Sequence, residues 1–437
     1  MVTRRNFLQQ SATAIAAGLI APSAWGEKHI RSGSVGANDR IRAALIGCRN
    51  MGWGDLSDIL ATKEVECVAL CDIDKTILEN RAGEIEKAHG KKPDIYGDYR
   101  KMLERKDIDL VVVGTPDHWH CLNTVDACAA GKDVYVEKPL ANSIAECDAM
   151  VAAAKKYGRV VQVGQQQRSG NHWHEMKSYI DGGKLGKICR VEVWGNFNYG
   201  AGSLPVPDSE VPEGVDFDMW LGPAPNRSFN RQRFHGSWRM YWDYGGGLLT
   251  DWGVHLLDMA LWGMDVKGMP NQVMSGGGRF AFPQNAPETF DTLTVIYAFD
   301  DFLIQWSNVA GTETGPFNRN YGLAFKGTNG TLVANRESWE VIPEGNKAEA
   351  ITVKPNGRDR KNHVENFLNC IKNRDFNTAC TIDNGSLCAK FAHLGNISAK
   401  VGTALIYDDK KKTFNNKAAD KLLRPTYRSP WKFPAAN

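Results

Sequence analysis

The chain has 437 residues, 42% of them hydrophobic and 24% charged, with a formal net charge of +3. That length supports two or three domains with proper cores, and the composition is that of a globular chain. The charge is too small to argue for nucleic acid, and no run reaches the roughly 18 apolar residues of a membrane helix, so neither partner is expected.

The chain opens on what reads as a targeting segment. "TRRNFLQ" at residues 3–9 pairs Arg4 and Arg5, then adds Phe7 and Leu8; an Ala/Ile/Gly run follows, and Ala24-Trp25-Gly26 resembles a cleavage site. The combination resembles a twin-arginine export signal. It predicts a signal peptide over 1–26, a linker over 27–39, contact with the twin-arginine export machinery and a periplasmic or otherwise exported protein. That route carries folded chains, so a cofactor can be loaded before export. The ten cysteines contain no C-x-x-C and mostly sit in apolar contexts, which predicts buried free thiols.

From Ile41 to Gly164, "IRAALIG", "VECVALCD", "DLVVVGTP", "KDVYVEKP" and "RVVQVG" read as strands. Helices are expected from Gly52, over Lys75–His89, over His120–Ala130 and after Ser143. Strands that are apolar throughout predict a parallel, doubly wound sheet covered on both faces. After about Gln165 the pattern changes. "KICRVEVWGNF", "DTLTVIYAFDDFLIQWSNVA" and "YGLAFKGTNGTLVAN" read as longer strands with hairpin turns, Asn329-Gly330 being the strongest turn signal. Residues 362–373 and 384–402 read as helices. The expected organisation is α/β: a parallel domain over 40–165, and a second α/β domain with an open, mostly antiparallel sheet over 166–437, whose last helices and tail can pack back on the first.

The first strand ends in "GCRNMGWG" at 47–54. A strand feeding a glycine-rich turn and a helix is the context of G-x-G-x-x-G, whose backbone cradles a pyrophosphate. Gly47 and Gly52 take the first and third glycine positions, and Arg49 the middle one. Asp72 ends the second strand 20 residues beyond Gly52. A carboxylate there accepts from the adenosine ribose hydroxyls and repels a 2′-phosphate, so NAD is expected and NADP disfavoured. Arg49 lies along the pyrophosphate as a counter-charge, or else the loop is displaced and the phosphates rest on Asn50, Met51 and the helix N-terminus.

Three further motifs follow in order: "GTPDHWH" (114–120), "EKP" (137–139) and "DWGVHLLD" (251–258). With the glycine turn, they resemble the Gfo/Idh/MocA family of glucose-fructose oxidoreductase, inositol dehydrogenase and rhizopine-catabolism proteins, from Ile41 to the C-terminal "HLGNIS". Arg49 departs from the commonest family pattern. The resemblance implies an N-terminal Rossmann domain, a C-terminal α/β domain whose open sheet makes oligomer contacts, a homodimer or homotetramer, and NAD(P)-dependent oxidation or reduction of sugar and cyclitol carbinols. It makes His255 the acid/base, Asp251 its partner, and Lys138 the group that hydrogen-bonds the reacting hydroxyl, with Glu137 on the nicotinamide-side ribose. Thr115, Pro116, His118 and His120 fall beside the cofactor, in the loop at a strand's carboxyl end.

The chemistry of those residue types agrees. Oxidising a carbinol needs a base with a pKa near the working pH, and a neutral imidazole supplies one. Asp251 and His255 are four apart, which on a helix puts the carboxylate where it can orient the ring. A lysine beside the oxygen favours developing alkoxide charge. Arg168 reads equally as a substrate contact or an interdomain salt bridge. Trp238, Arg239 and Tyr241, ahead of the glycine run 245–247, read as a substrate-pocket segment, and the cluster of tryptophans between Trp220 and Trp252 leans towards carbohydrate. The two H-x-H pairs lack a third ligand nearby, so no metal is expected.

Three functions compete. The first is an exported NAD-dependent oxidoreductase of sugars, its cofactor tightly bound because no free NAD pool exists outside the cytoplasm. The second is a glycoside hydrolase or lyase that oxidises a sugar carbon transiently, acidifies the adjacent C–H and eliminates the aglycone. The third is a non-catalytic sugar-binding or regulatory protein, against which Lys138, Asp251 and His255 together argue.

Overall fold

The computed structural model describes residues 40–434, so the expected signal peptide and linker lie outside the described residues. Six strands form the first sheet: β1 (Ile41–Ile46), β2 (Val65–Cys71), β3 (Asp94–Tyr96), β4 (Leu110–Val113), β5 (Asp133–Val136) and β6 (Val161–Val163). All pair in parallel, in the order β3-β2-β1-β4-β5-β6. Their apolar continuity has a direct cause. Ala44, Ile46, Val111 and Val113 point into one core, and Ala43, Leu45, Leu110 and Val112 into another on the opposite face. Each fully buried aliphatic side chain such as Leu45 contributes about 1.5–3 kcal/mol.

Helices cover both faces. They are α1 (Asn50–Ala61), α2 (Lys75–His89), α3 (Tyr99–Leu103), α4 (Asp117–Ala129) and α5 (Ile144–Tyr157). Helix α2 has the expected bounds because both ends are written locally. Asp74 accepts from the Thr76 and Ile77 N–H groups, and Gly90 closes the helix in the left-handed conformation. Helix α4 begins at Asp117, directly after Pro116, three residues earlier than expected. The short pieces β3 and α3 were not anticipated; the strand has three residues and its first two are exposed.

The second sheet has eight strands: β7 (Ile188–Gly195), β8 (Gln272–Gly278), β9 (Thr292–Ala298), β10 (Leu303–Val309), β11 (Tyr321–Gly327), β12 (Gly330–Ala334), β13 (Trp339–Pro343) and β14 (Ile351–Val353). Their order is β14-β13-β12-β11-β7-β10-β9-β8. Every pairing is antiparallel except β7 with β10. Thr328 and Asn329 make the hairpin between β11 and β12. Alternation decides which face is buried: Leu293, Val295 and Tyr297 of β9 point inward, as do Ile304 and Trp306 of β10. The covering helices are α6 (Asn171–Asp181), α7 (Phe217–Leu221), α8 (Val254–Gly263), α9 (Asp359–Asn373) and α10 (Ile382–Val401). Helix α9 returns to the first sheet, where Phe367, Leu368 and Ile371 join the core of Leu45 and Leu56.

Candidate active site

A cleft of about 970 Å³ opens at the carboxyl ends of β1, β2, β4 and β5. Its floor is three interlocked glycines. Gly47 has φ +87°, and a Cβ on it would lie 2.8 Å from the Gly114 carbonyl. A Cβ on Gly52 would lie 2.3 Å from the Gly47 oxygen, and one on Gly114 2.3 Å from Gly52 Cα. No side chain fits at any of the three, so the N-terminus of α1 can press against β1 and β4. Arg49 is different. Its backbone is extended (φ −109°), a conformation open to any residue, and the positive φ falls on Asn50 instead. Arg49, Asn50 and Met51 all line the cleft. The middle glycine is therefore dispensable in this loop.

Asp72 also lines the cleft. Its Oδ2 accepts from Cys48 N–H at 2.6 Å and its Oδ1 from Asp74 N–H at 3.0 Å, so it braces the glycine turn. Burial raises its pKa against those two hydrogen bonds. Thr115 and Pro116 line the cleft as expected. His118 and His120 do not, which corrects the expectation that they contact the cofactor. The His118 Nε2 lies 3.0 Å from the Trp220 carbonyl, and the His120 nitrogens lie 2.8 Å from the Pro139 and Thr115 carbonyls. Burial pushes both pKa values down to about 4, so each neutral ring donates one N–H to a carbonyl and serves as a strut. Glu137 lines the cleft, but its carboxyl lies over Gly164, where a Cβ would come 2.1 Å from Oε1, and next to Asp55. Burial raises the pKa of both carboxyls.

The opposite wall comes from the segment 214–239. Lys75 N–H donates to the Gly214 carbonyl and Asp216 N–H to the Ile73 carbonyl, each at 2.9 Å. His235 Nε2 lies 3.1 Å from Asp74 Oδ2. These contacts tie the segment to the end of β2 and set Met219, Trp220, His235 and Trp238 along the cleft.

The polar centre stands beside Lys138. Its Nζ donates to Asp251 Oδ1 at 2.6 Å and to the Asp251 carbonyl at 3.1 Å. Arg239 Nε approaches the same Oδ1 at 3.1 Å, and the Tyr199 hydroxyl donates to Oδ2 at 2.6 Å. Burial alone would raise the Asp251 pKa; Lys138 and Arg239 outweigh it and hold the carboxyl well below the usual range. Among the described residues these are its side-chain partners, and His255 is not one of them. The expected orientation of His255 by Asp251 is not made through a hydrogen bond among the described residues: the carboxylate turns to Lys138, Arg239 and Tyr199 instead, from a π-helical turn at Leu249–Gly253. His255 is buried, its Nδ1 enclosed with no partner among the described residues. Burial, then Arg336 and Lys138, push its pKa well below the usual value, so the ring is neutral at neutral pH.

Arg168 makes a bidentate pair with Asp258 (2.7–3.0 Å), a salt bridge inside the second domain, where an interdomain bridge or a substrate contact was expected. One further expectation fails. Tyr241 is 3% exposed and packs in the core of the second sheet, not in the cleft. Trp238 and Arg239 do line the cleft, the guanidinium 4.2 Å from the indole centroid. Sequence reasoning missed Tyr199, Trp252 and Arg336. Tyr199 and Arg336 sit in connections after strands and follow no pattern, while Trp252 is adjacent to Asp251 and was grouped with the tryptophans as a class.

Comparison with known proteins agrees with this geometry. Residues 41–165 match the oxidoreductase family NAD-binding Rossmann fold, and residues 170–433 the oxidoreductase family C-terminal alpha/beta domain, both of Gfo/Idh/MocA type. A glycosyl hydrolase family 109 protein of Shewanella putrefaciens is 31% identical over 209 residues, 44% of this chain and 45% of that protein. An alpha-N-acetylgalactosaminidase of Shewanella oneidensis is 28% identical over the same shares of the two chains. The match thus spans less than half the length of these curated relatives. Among solved structures, an aldose-aldose oxidoreductase from Caulobacter crescentus complexed with glycerol is similar in fold, with a TM-score of 0.63 at 19% identity, covering 84% of this chain and 99% of that one. A levoglucosan dehydrogenase in complex with NADH and levoglucosan gives 0.64 at 18% identity over 84% and 99%. The interlocked glycines, the Lys138–Asp251 pair and the two matched domains lead to one assignment: the chain belongs to the Gfo/Idh/MocA oxidoreductase family, with its NAD-binding Rossmann domain and its C-terminal α/β domain.

Proposed function

We propose that this protein is an exported, NAD-dependent oxidoreductase that oxidises a carbinol of a sugar, glycoside or cyclitol. One observation carries the reading: Lys138, which lines a cleft floored by interlocked glycines, is held by a buried aspartate four residues before a neutral histidine. The glycine floor leaves backbone N–H groups of α1 free to meet a pyrophosphate, with Arg49 beside them and Asp72 at the ribose position. Bound there, NAD supplies the hydride acceptor. Lys138 holds the carbinol oxygen and stabilises charge as it develops. His255, whose ring burial keeps neutral, takes the hydroxyl proton. Asp251 and Tyr199 fix where the ammonium sits.

Retention of the cofactor and export belong together in this reading. The segment 214–239 roofs the cleft at the end of β2, which slows escape of a bound nucleotide. The open face of the second sheet carries Met274, Leu303, Val309 and Ile342 exposed, and we read it as the contact surface of a homodimer or homotetramer. A second reading, an NAD-dependent glycosidase, is favoured by the names of the curated relatives. The test is turnover of free sugars and of aryl glycosides by the purified protein, following both reduced nicotinamide and aglycone. Net reduction without aglycone release supports the oxidoreductase, and aglycone release without net reduction supports the glycosidase. A denatured sample that yields no nucleotide, from protein that binds neither NAD nor NADP, sinks both.

A further inference from the structure

Arg336 lies in the turn between β12 and β13 and is spent on nothing the reading above requires. Its Nε donates to Gln167 Oε1 at 2.9 Å, and the Gln167 amide donates in turn to the His255 carbonyl at 3.1 Å. Its guanidinium carbon is 4.6 Å from the Trp252 ring centroid, and that ring is 5.8 Å from the imidazole of His255. Phe197 stacks on Trp252 at 4.4 Å, so the indole is clamped and the guanidinium plane with it. One edge of the fork is left over: Nη2 is enclosed and has no partner among the described residues. Arg336 makes no ion pair among them either. The carboxylates that act on it from a distance are Glu337, Asp359 and Asp251. Glu337 accepts from the Tyr321 hydroxyl, Asp251 is taken by Lys138 and Arg239, and Asp359 lies against Gly170.

The charge balance is lopsided. Lys138 and Arg239 share one strongly ionised carboxylate, Asp251, while Arg336 pairs with none and burial raises the pKa of its neighbour Asp359, as it does those of Asp117 and Glu137. A half-buried guanidinium with one enclosed, unpartnered nitrogen and no ion pair carries a desolvation cost that an anionic ligand offsets. The remaining nitrogen, Nη1, is not enclosed and makes no hydrogen bond among the described residues, so its charged N–H groups can donate to a carboxylate.

The geometry points to an anion subsite at Arg336, next to the acid/base His255, and hence to a sugar acid, a uronic acid or its glycoside, as the substrate. This rests on the oxidoreductase reading and narrows it. Sugar acid and neutral sugar differ at one substituent, so the test is a matched pair. Cofactor-loaded protein is titrated calorimetrically with D-glucuronate and D-glucuronamide, D-galacturonate and D-galacturonamide, and glucose 6-phosphate. The acid binds more tightly than its amide by roughly ten- to a hundredfold, the worth of a charged hydrogen bond. Arg336→Gln brings acid and amide to parity, and Arg336→Lys keeps part of the preference. Nucleotide content of each variant, measured after denaturation, reports whether it still folds around its cofactor. Equal binding of acid and amide, a preference that survives Arg336→Gln in nucleotide-loaded protein, no uronate binding, or a phosphate preferred to both uronates overturns the assignment. Absence of nucleotide from the wild-type protein instead overturns the oxidoreductase reading, so the two failures are distinguishable.

Discussion

The cofactor cleft and the acid/base centre are neighbours built on opposite principles. The cleft is backbone. Gly47, Gly52 and Gly114 matter because nothing can replace their missing Cβ atoms, and two of them lie within six residues of each other. The acid/base centre is side chains. Lys138, Tyr199, Arg239 and Asp251 arrive from four separate segments and hold one another by charge. A steric demand on the backbone is local and tolerates one residue type. A charge network is long-range, and each member is defined by partners far away in sequence. The seam between the two domains is pinned by neutral histidines against backbone carbonyls, His118 on Trp220, His363 on Val163 and His393 on Ala141, with His120 on Pro139 and Thr115 just inside the first domain.

That seam gives the largest expected effect. Burial pushes each of these four histidines down to about 4, below the usual value of 6.5. The folded state then binds fewer protons than the unfolded chain between those two pH values. Their stabilisation is fully present above pH 6.5 and drains away as pH falls towards 4, at about 1.4 kcal/mol per pKa unit for each group. Thermal melts across that range should show Tm collapsing on the acid side, with cofactor released in step. A Tm that is flat from pH 7 to pH 4 removes the seam from the comparison.

Next in size is the chemistry. His255→Ala and Lys138→Ala should each lower turnover by roughly 10²–10⁴ while sparing NAD content. They act on one transition state, so the double variant should cost far less than the product of the two. Single-turnover reduction of the bound cofactor is the measurement, and a wild-type rate in His255→Ala moves the acid/base elsewhere. Asp251→Asn follows at about 3–5 kcal/mol of stability, because it leaves two buried cations facing a neutral amide. Urea melts read that loss.

Gly52→Ala tests the cleft on its own terms. The new Cβ would fall 2.3 Å from a backbone oxygen, so the loop must move. About 1–3 kcal/mol of stability should be lost, as for other overpacked sites, and NAD binding with it. Nucleotide content and a melt check the two together.

The sequence was legible where physics is local. The apolar strands, the capped helix α2, the hairpin turn at Asn329 and the outer glycines are each a demand met within a few residues. Lys138, Asp251 and His255 stood out by motif, but their partners did not. The spacing of Asp251 and His255 implied a shared helical face, but the carboxylate's partners are Lys138, Arg239 and Tyr199, and the π-helical turn there has no signature in "LTDWG". Tyr199, Gln167 and Arg336 matter only because tertiary packing brings them to Asp251 and His255. Arg168 could be read either way because its partner, Asp258, is 90 residues off.

The smallest effect is at Arg49, where the comparison is sharpest, because one residue belongs to both kinds of site. Its backbone stands in the glycine turn, yet its conformation is extended and needs no glycine. Its side chain lines the cleft and acts on His235, whose pKa is lowered by burial and then by this charge. Arg49→Gly therefore relieves no strain. It removes a charge, and it loosens the unfolded chain by roughly 0.5–1 kcal/mol. If the guanidinium meets the pyrophosphate, NAD should bind about tenfold more weakly, the low end for a charged hydrogen bond. The His235 titration, followed by NMR, should move up at the same time, since one of the two causes holding it down is gone. An unchanged NAD affinity with a shifted His235 would leave Arg49 a neighbour of the histidine alone, and the pyrophosphate would rest on backbone, as the rest of the cleft does.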